Sequence, residues 1–337
     1  MQVNERERGH MPQAHIWAWR ALQPAALAVL EGLASVYVTS VGERNDWYEE
    51  ASTADVIIVS GEMFVTGEVM DRIGPRLRII ARAGIGVDRI DLDAAARRGI
   101  LVVNSPDGPT ESTAEHTIAL LLNLCKGVMM GDRILRSGQS FPALPDLIPG
   151  FEVFGATLGL IGLGRIGSRV ATIAQVLGMK VVAFDPFIAP ERARTLGVEI
   201  VPSLAELLPR AHVVSLHCPS TPENRHIINA ETLNLMRRGS YLINAARGAL
   251  VDEEALLEAL RSGHLAGAAV DVFDPEPPIT NHPLFKLPNT ICTPHIASYT
   301  TASVLRMEMM ACEQIASALR GERPTNLVNA EVWGISR

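Results

Sequence analysis

Short hydrophobic runs rich in β-branched residues alternate along the chain with longer amphipathic stretches. In the first third they predict strands at residues 15–19, 36–39, 56–60, 77–81 and 100–104, and helices at 24–34, 66–73 and 91–98. Strands that alternate with helices indicate βαβ units and a parallel sheet. We therefore expect this part of the chain to form a flavodoxin-like layer.

A long amphipathic helix precedes a second series of strands. Ser112 and Glu115 have the S-x-x-E spacing of a capping box, which predicts that the helix begins at Ser112. Apolar residues then recur at helical spacing as far as Met129. Three prolines between residues 137 and 150 predict an irregular loop, because proline lacks an amide hydrogen.

The strand–helix alternation resumes after this loop. The predicted strands are residues 157–163, 180–185, 198–201, 213–218, 241–245, 268–272 and 290–293. A last amphipathic helix at residues 301–319 should stop at Gly321, and the polar residues 1–13 should form a loose end. The pattern predicts an α/β protein with two doubly wound parallel-sheet domains.

Length and composition narrow the class of protein. A chain of 337 residues exceeds what one core usually serves, so we expect two domains. The net charge of −7 and the lack of any Lys/Arg cluster argue against a nucleic-acid partner. We find neither a signal peptide nor an apolar run of membrane-spanning length, and therefore predict a soluble cytoplasmic protein without a membrane partner. The four cysteines form no C-x-x-C pair, so we expect free thiols and no metal site.

Gly162, Gly164 and Gly167 form a G-x-G-x-x-G motif between a predicted strand and a predicted helix. In such a loop the first glycine makes the turn, the second lets the backbone approach a pyrophosphate, and the third lets the helix pack closely. The N-terminus of the helix then faces the phosphates. The motif in this context predicts that the loop binds a dinucleotide.

Asp185 ends the next predicted strand, 18 residues after Gly167. A carboxylate at this position accepts hydrogen bonds from the ribose 2′-hydroxyl and repels a 2′-phosphate. Asp185 therefore favours NAD over NADP. The competing interpretation is that Asp185 and Pro186 merely form a turn.

Ligands of doubly wound sheets bind beyond the carboxyl ends of the strands. The polar residues at or just after the ends of predicted strands are Asp185, His217, Cys218, Arg247, Asp271 and His295, and Glu276 lies shortly after Asp271. An arginine offers a planar fork for a substrate carboxylate, and a histidine oriented by a glutamate can deliver a proton. Individually, Asp271 could cap a loop, His295 could be structural and Arg247 could be a surface cation. Together they suit reduction of a 2-keto acid.

Several longer motifs resemble the D-isomer-specific 2-hydroxy acid dehydrogenase family. They are residues 81–88, 158–169, 244–256, 271–277, 293–298 and 323–329, and they extend over nearly the whole chain. The resemblance implies a Rossmann NAD domain at residues 107–298, inserted into a flavodoxin-like substrate domain at residues 1–106 and 299–337. It also implies a homodimer paired through the NAD domains.

The resemblance further implies roles for individual residues. Arg247, Glu276 and His295 would be the catalytic triad, and the backbone amides of Ala83, Gly84 and Ile85 would hold the substrate carboxylate. Asp271 would contact the carboxamide of NAD. The full set of implied NAD contacts is Gly162, Gly164, Arg165, Ile166, Gly167, Asp185, His217, Cys218, Pro219, Ala245, Ala246, Asp271, Ala297 and Ser298.

Within the family we favour glyoxylate- or hydroxypyruvate-reductase-like activity over D-3-phosphoglycerate dehydrogenase. Phosphoglycerate-oxidising members typically carry an arginine after the third strand, where this chain has Ser60. The chain also ends soon after its last predicted helix, so we expect no serine-sensing regulatory domain. Arg82 remains as an anion anchor.

Two further classes of relative have to be distinguished from such a reductase. A formate dehydrogenase would be expected to carry glutamine in place of Glu276. Corepressors of the C-terminal-binding-protein type resemble the family and use the NADH-bound dimer mainly as a binding scaffold. Turnover of 2-keto acids with NADH distinguishes an enzyme from such a scaffold.

Overall fold

The computed structural model describes residues 13–38, 46–138 and 150–334. The chain divides into two compact units, which we call the terminal unit (Met1–Pro109 and Thr300–Arg337) and the central unit (Thr110–Tyr299). The predicted loose end at residues 1–12 and most of the proline-rich loop, residues 139–149, lie outside the described residues.

The terminal unit contains a parallel sheet between two layers of helices. Its described strands are β1 (Ala14–Ala18), β2 (Ala34–Val38), β3 (Val56–Val59), β4 (Ile79–Arg82) and β5 (Leu101–Asn104). Its described helices are α1 (Pro24–Val29), α2 (Trp47–Glu50), α3 (Gly67–Ile73), α4 (Leu92–Arg97) and, at the other end of the chain, α12 (Thr301–Leu319). The strand order β2-β1-β3-β4-β5 is that of flavodoxin-like sheets, as predicted.

Both faces of this sheet are buried, which explains why its strands are nearly continuous hydrophobic runs. Ile16 and Ile58 face the core that α1 and α12 cover, whereas Trp17 and Ile57 face the core beneath α2, α3 and α4. Helix α2 was not predicted from the sequence. Trp47 in this short helix stacks on Trp17, with the ring centroids 5.1 Å apart.

The central unit contains a larger parallel sheet. Its described strands are β6 (Thr157–Ile161), β7 (Lys180–Phe184), β8 (Glu199–Ile200), β9 (Val213–Leu216), β10 (Ser240–Asn244), β11 (Leu265–Val270) and β12 (Thr290–Cys292). Its described helices are α5 (Thr110–Lys126), α6 (Val128–Arg136), α7 (Arg165–Val176), α8 (Pro190–Thr195), α9 (Leu204–Leu207), α10 (Ala230–Leu235) and α11 (Glu253–Arg261). The strands are ordered β12-β11-β10-β9-β6-β7-β8, so the chain reverses direction across the sheet between β6 and β9. This Rossmann order places the ligand crevice at the carboxyl ends of those two strands.

The predicted strands and the predicted last helix are confirmed, but the start of the long helix is not. Helix α5 begins at Thr110, so Ser112 lies within its first turn instead of capping it. The Ser112 hydroxyl donates to the carbonyl of Ala297 at 3.0 Å. The capping-box interpretation was therefore wrong, because a tertiary partner holds the hydroxyl. The helix also ends earlier, at Lys126, because the next residue, Gly127, has a left-handed φ of +65°.

The first boundary between the units lies three residues beyond the one expected from the sequence, at Pro109 instead of residue 106. The contacts of residues 105–108 explain this difference. The Ser105 hydroxyl donates to the carbonyl of Met307 at 2.7 Å, and the carbonyl of Gly108 accepts from Ser303 Oγ at 3.2 Å and Arg306 Nε at 3.1 Å. These bonds attach the segment to α12 of the terminal unit. The second boundary lies one residue later than expected, after Tyr299.

Candidate active site

The three glycines after β6 have different surroundings. Gly162 has a φ of +97°, and a Cβ added there would lie 2.7 Å from the backbone nitrogen of Cys218. A Cβ on Gly167 would overlap the carbonyl oxygen of Gly162, whereas a Cβ on Gly164 would meet no described atom within 4 Å. The first and third positions are thus closed by the protein itself. The space over Gly164 is open, as close approach of a pyrophosphate requires.

Helix α7 begins directly after Gly164 and has no side-chain cap at its N-terminus. The first amides of a helix have no carbonyl partner within it, and the helix dipole makes this end partially positive. Together with the open space over Gly164, these amides suit an anion. The residues of the loop therefore fit the diphosphate of a dinucleotide.

Asp185 lies just beyond β7 and is half-buried. Its Oδ2 accepts from the backbone nitrogen of Leu163 at 2.7 Å, and its Oδ1 accepts from that of Phe187 at 2.9 Å. The carboxylate is thereby tied to the glycine loop. Each oxygen has a second lone pair for a ribose hydroxyl, so the residue fits an unphosphorylated ribose.

His217 and Cys218 follow β9 on the other side of the loop. Nε2 of His217 lies 2.9 Å from Oγ of the buried Ser215, and burial lowers the pKa of His217 to about 4. Burial raises the pKa of the Cys218 thiol to about 11. Both side chains are therefore uncharged at neutral pH, and the wall beyond β9 carries no charge from either of them.

Asp271 follows β11 and organises the loop that contains His295. Its fully buried carboxylate accepts hydrogen bonds from Thr293 Oγ1 at 2.6 Å and from the backbone nitrogens of Ile296 and Ala297 at 3.0 and 2.9 Å. Its carbonyl accepts from the backbone nitrogen of His295 at 2.7 Å. His295 has a φ of +52°, a conformation that costs energy for any residue with a Cβ. The Asp271 contacts hold this strained loop, and the contact of Asp271 with NAD stays a prediction.

The loop brings His295 into contact with Glu276. Nδ1 of His295 lies 3.0 Å from Oε2 of Glu276, whose Oε1 accepts from the backbone nitrogen of Phe273 at 3.1 Å. An ionised carboxylate only accepts hydrogen bonds, so Nδ1 of His295 carries a hydrogen and donates it to Glu276. Nε2 takes no part in this hydrogen bond. The His295 side chain is 48% exposed and that of Glu276 is 20% exposed. A half-exposed imidazole with one nitrogen fixed by a carboxylate can act as a general acid or base.

Arg247 lies three residues beyond β10, the strand next to β11. Its backbone is held by Asn244, whose Nδ2 donates to the Arg247 carbonyl at 2.9 Å and whose Oδ1 accepts from Ala246 at 3.1 Å. The guanidinium donates to the Ala246 carbonyl at 2.7 Å. The three predicted catalytic residues therefore follow three adjacent strands, β10, β11 and β12, at their carboxyl ends.

In the terminal unit, Arg82 folds over the loop that follows β4. Its Nε donates to the carbonyl of Gly86 at 3.1 Å, and its Nη1 donates to that of Ala83. A Cβ on Gly84 would lie 2.6 Å from the Arg82 guanidinium, so this side chain would have to move, and the φ of +151° at Gly84 itself favours glycine. Arg82 braces the loop, and this bracing uses donors that an anion anchor would offer to its ligand.

The amides of the same loop are partly engaged within the unit. The Ala83 amide donates to the carbonyl of Val59 at 3.4 Å, and the Gly84 amide donates to that of Arg82 at 2.9 Å. The Ile85 carbonyl accepts from Asn104 Nδ2 at 2.8 Å. Binding of a carboxylate by Ala83, Gly84 and Ile85 stays a prediction, and the first two amides would have to share their hydrogens.

Three polar residues near the candidate site were not found from the sequence. His116 on α5 places Nε2 3.4 Å from Thr293 Oγ1, a contact between residues 177 positions apart. Glu253 and His282 interact at 2.7 Å beside the loop that carries Glu276. No sequence motif contains these residues, because their partners are far away in the chain and close only in space.

Among the described residues, no group of three or more His, Cys, Asp or Glu side chains is arranged to hold a metal ion. In the same part of the chain, no helix is long and apolar enough to cross a membrane.

Known proteins resemble this chain over most of its length. The model of the family described as D-isomer specific 2-hydroxyacid dehydrogenase, NAD binding domain, matches residues 118–297. A D-3-phosphoglycerate dehydrogenase of Methanocaldococcus jannaschii is 40% identical over 308 residues, which are 91% of this chain and 58% of that protein. A glyoxylate reductase of Aeropyrum pernix is 44% identical over 262 residues, or 77% of this chain and 78% of that protein. A solved structure from Thermus thermophilus has 42% identity and a TM-score of 0.84, and the match covers 93% of this chain and 99% of that one. The chain spans little more than half the length of the phosphoglycerate dehydrogenase it matches.

Proposed function

Because this chain belongs to the D-isomer-specific 2-hydroxyacid dehydrogenase family, we propose that it is an NAD-dependent oxidoreductase acting on a small 2-keto or 2-hydroxy acid. The observation that carries this proposal is the hydrogen bond between His295 and Glu276. It lies in a loop at the same sheet edge as a glycine loop that fits a dinucleotide. The residues that we propose for proton transfer and for cofactor binding thus belong to one unit.

The cofactor would be held by residues that follow β6, β7 and β9 to β12. Gly162, Gly164 and Gly167 with the first turn of α7 would hold the diphosphate, and Asp185 would accept from the adenosine ribose. The proposed remaining contacts are those predicted from the sequence, Arg165, Ile166, His217, Cys218, Pro219, Ala245, Ala246, Asp271, Ala297 and Ser298. When bound, NADH supplies the hydride that the C2 carbon of the keto acid must receive.

The protein's own residues would supply binding and the proton. Arg247 would bind the substrate carboxylate through its planar fork and polarise the C2 oxygen. Protonated His295 would give the proton on Nε2 to that oxygen, so the keto acid gains one hydride and one proton and becomes the hydroxy acid. Glu276 would hold Nδ1 and balance the charge of the imidazolium. In the opposite direction His295 would accept the hydroxyl proton.

The proposed substrate is short and unphosphorylated, such as glyoxylate or hydroxypyruvate. A buried phosphate dianion needs about two cationic or charge-assisted donors to offset its desolvation. The position where phosphoglycerate enzymes typically carry an arginine is Ser60, and its hydroxyl accepts from the Glu62 amide at 3.4 Å. Arg82 already braces its own loop. D-3-phosphoglycerate dehydrogenase is the second candidate, because the Methanocaldococcus jannaschii relative carries that name.

The test is to compare kcat/KM with NADH for glyoxylate, hydroxypyruvate and phosphorylated hydroxypyruvate. We expect the unphosphorylated acids to be preferred, and His295→Gln provides the background rate. A tenfold preference for the phosphorylated acid, or about 1.4 kcal/mol in transition-state binding, would reverse the substrate assignment. No turnover of any of the three acids would contradict the proposed function.

We also propose a homodimer that pairs through the central units. Helix α6 supports this proposal, because it has no buried residue and exposes Val128 at 61% and Leu135 at 55%. Apolar surface of this kind favours burial against another protein surface. Light scattering after size-exclusion chromatography should give twice the chain mass, and Val128→Glu with Leu135→Glu should shift it towards the monomer.

We propose a cytoplasmic location as well. It is supported by the cysteines, Cys125, Cys218, Cys292 and Cys312, which are all free. Free thiols are typical of a reducing compartment. Fractionation of cells expressing the protein should recover it with soluble cytoplasmic markers.

A further inference from the structure

We propose that Glu253 and His282 form a clamp that positions Glu276, and through Glu276 the catalytic imidazole of His295. Both are positioning residues, since their described hydrogen bonds reach the segment of Glu276 and none of them reaches His295. The kinetic part of the test rests on the proposed function. The spectroscopic part does not depend on any activity.

Glu253 is the first residue of α11 and touches two points of the segment after β11. Its Oε1 accepts from the backbone nitrogen of Asp274 at 3.3 Å, and its Oε2 lies 2.7 Å from Nε2 of His282. Its side chain is 22% exposed and that of His282 is 11% exposed. The clamp is therefore sheltered enough for its hydrogen bonds to be stronger than those of surface pairs.

His282 has a defined tautomer. Its Nδ1 accepts from the backbone nitrogen of Leu284 at 3.3 Å, so Nε2 carries the hydrogen that Glu253 accepts. The ring also packs against Phe273 and Phe285, with centroid separations of 5.5 and 5.3 Å. Its orientation is thus fixed by two hydrogen bonds and two aromatic neighbours.

The clamp holds the residues from which Glu276 extends. The Phe273 amide donates to Glu276 Oε1 at 3.1 Å, and the next amide, that of Asp274, is the one bound by Glu253. On the other side, a Cβ on Gly248 would lie 2.7 Å from the Asp274 nitrogen. Asp274 is also bound by Arg225 at 2.8 Å. This part of the backbone is confined from several directions.

The clamp also connects the segment that carries Glu276 to the segment that carries Arg247. Arg247 directly precedes Gly248, which packs on Phe273 and Asp274, and Glu253 follows within the same segment. The segment that carries the proposed carboxylate anchor therefore also holds the segment that carries the proposed orienter of His295. Small displacements of catalytic groups are costly in rate. Loosening the clamp should therefore impair His295 without removing any group that touches the substrate.

The first experiment reads the ring tautomer of His295 by ¹⁵N NMR, at a pH where the imidazole is neutral. His295→Gln identifies the resonance among the nine histidines. In the wild type we expect the Nδ1–H form, since Glu276 accepts from Nδ1. His282→Leu removes the donor to Glu253 and should shift the ring partly to the Nε2–H form, in the same direction as Glu276→Ala.

Two variants serve as matched comparisons. His282→Gln keeps a side-chain N–H at similar reach and should restore the wild-type tautomer. His264→Leu removes another half-buried histidine of the unit, one that contacts the carbonyl of Leu233 at 2.9 Å, and should leave His295 unchanged. If His282→Leu fails to fold, Glu253→Gln tests the same contact. Glu254→Gln, at the exposed neighbouring residue, is its control.

The second experiment measures kcat and the KM for NADH on a 2-keto acid that the wild type reduces. His282→Leu should lower kcat about tenfold with KM for NADH nearly unchanged. In a Glu276→Ala background the same change should have no further effect, because the residue that the clamp positions is gone. A purely structural role would lower stability and add to the effect of Glu276→Ala.

The outcomes separate the two proposals. A wild-type His295 tautomer in His282→Leu and in Glu253→Gln would overturn the clamp, whatever the activity. A shifted tautomer in these variants, together with a wild type that turns over no 2-keto acid, would support the clamp and overturn the proposed function. Additive kcat losses in the double variant would also overturn the clamp.

Discussion

The imidazole Nδ1 of His295 lies 3.0 Å from Oε2 of Glu276, although the two residues are 19 positions apart in the chain. His295 keeps this position in a left-handed backbone conformation that Asp271 holds. A strained residue that is held by several buried contacts is typical of functional sites. The pair is therefore the natural place to test the proposed chemistry.

Replacing His295 by glutamine should remove the proton donor and leave the fold intact. We expect kcat to fall by about two to four orders of magnitude, because general acid catalysis acts in the transition state. Binding of NADH, followed by fluorescence titration, should change little. His264→Gln is the control in the same unit. Near-normal kcat in His295→Gln would require a different proton donor.

Replacing Arg247 by alanine should affect binding as well as turnover. The fork would bind the substrate carboxylate before and during reaction, so KM for the keto acid should rise and kcat should fall. Arg247→Lys keeps the charge but loses the planar fork and should lie between the two. The exposed Arg261 provides the control substitution. An unchanged KM in Arg247→Ala would contradict the assignment.

Asp185 should make the protein prefer NADH to NADPH. A 2′-phosphate would meet the carboxylate that Leu163 and Phe187 hold in place. Asp185→Ala should reduce the ratio of kcat/KM for NADH to that for NADPH, mainly by weakening use of NADH. The exposed Glu231→Ala is the matched removal of a charge. Equal use of both cofactors by the wild type would show that the carboxylate does not select.

Gly164 and Gly167, two of the three glycines of the loop, should respond differently to alanine. Gly167→Ala should lower the melting temperature, since its Cβ would overlap the carbonyl of Gly162. Gly164→Ala should melt near the wild-type temperature but bind NADH more weakly, because its Cβ would enter the open space. Gly131→Ala on α6, where an added Cβ also meets no described atom within 4 Å, is the control for NADH affinity. Similar NADH affinity in Gly164→Ala and the wild type would place the cofactor elsewhere.

His217 should make the folded state sensitive to acid. Burial lowers its pKa to about 4, whereas the unfolded chain has the ordinary value of about 6.5. Between these values the unfolded state binds more protons, so the free energy of unfolding should decrease as the pH falls from about 6.5 to about 4, by at most about 1.4 kcal/mol per pH unit. His217→Gln should lose less stability over this range in urea titrations, and the exposed His15→Gln should behave as the wild type. If the free energy of unfolding of His217→Gln depended on pH as that of the wild type does, His217 would not be the source of the acid sensitivity.

The sequence alone determined the two parallel sheets, the glycine loop and the identity of the residues at the strand ends. Strands buried on both faces must be hydrophobic and must alternate with helices, so their order along the chain can be read directly. Residues such as Asp185, Arg247 and His295 could be grouped because the carboxyl ends of parallel strands share one edge of a sheet. That grouping requires no knowledge of side-chain contacts.

Only the tertiary structure decided which hydrogen bonds those residues form. Ser112 has the spacing of a helix cap, yet its hydroxyl donates to Ala297, 185 positions away. Asp271 was predicted as a cofactor contact, but its carboxylate also holds the loop of His295, and the pair of Glu253 and His282 was not predicted at all. Hydrogen bonds of this kind depend on distances of a few ångströms between segments far apart in sequence. Hydrophobic periodicity places whole elements, and it contains no information about which polar atoms then lie within reach of one another.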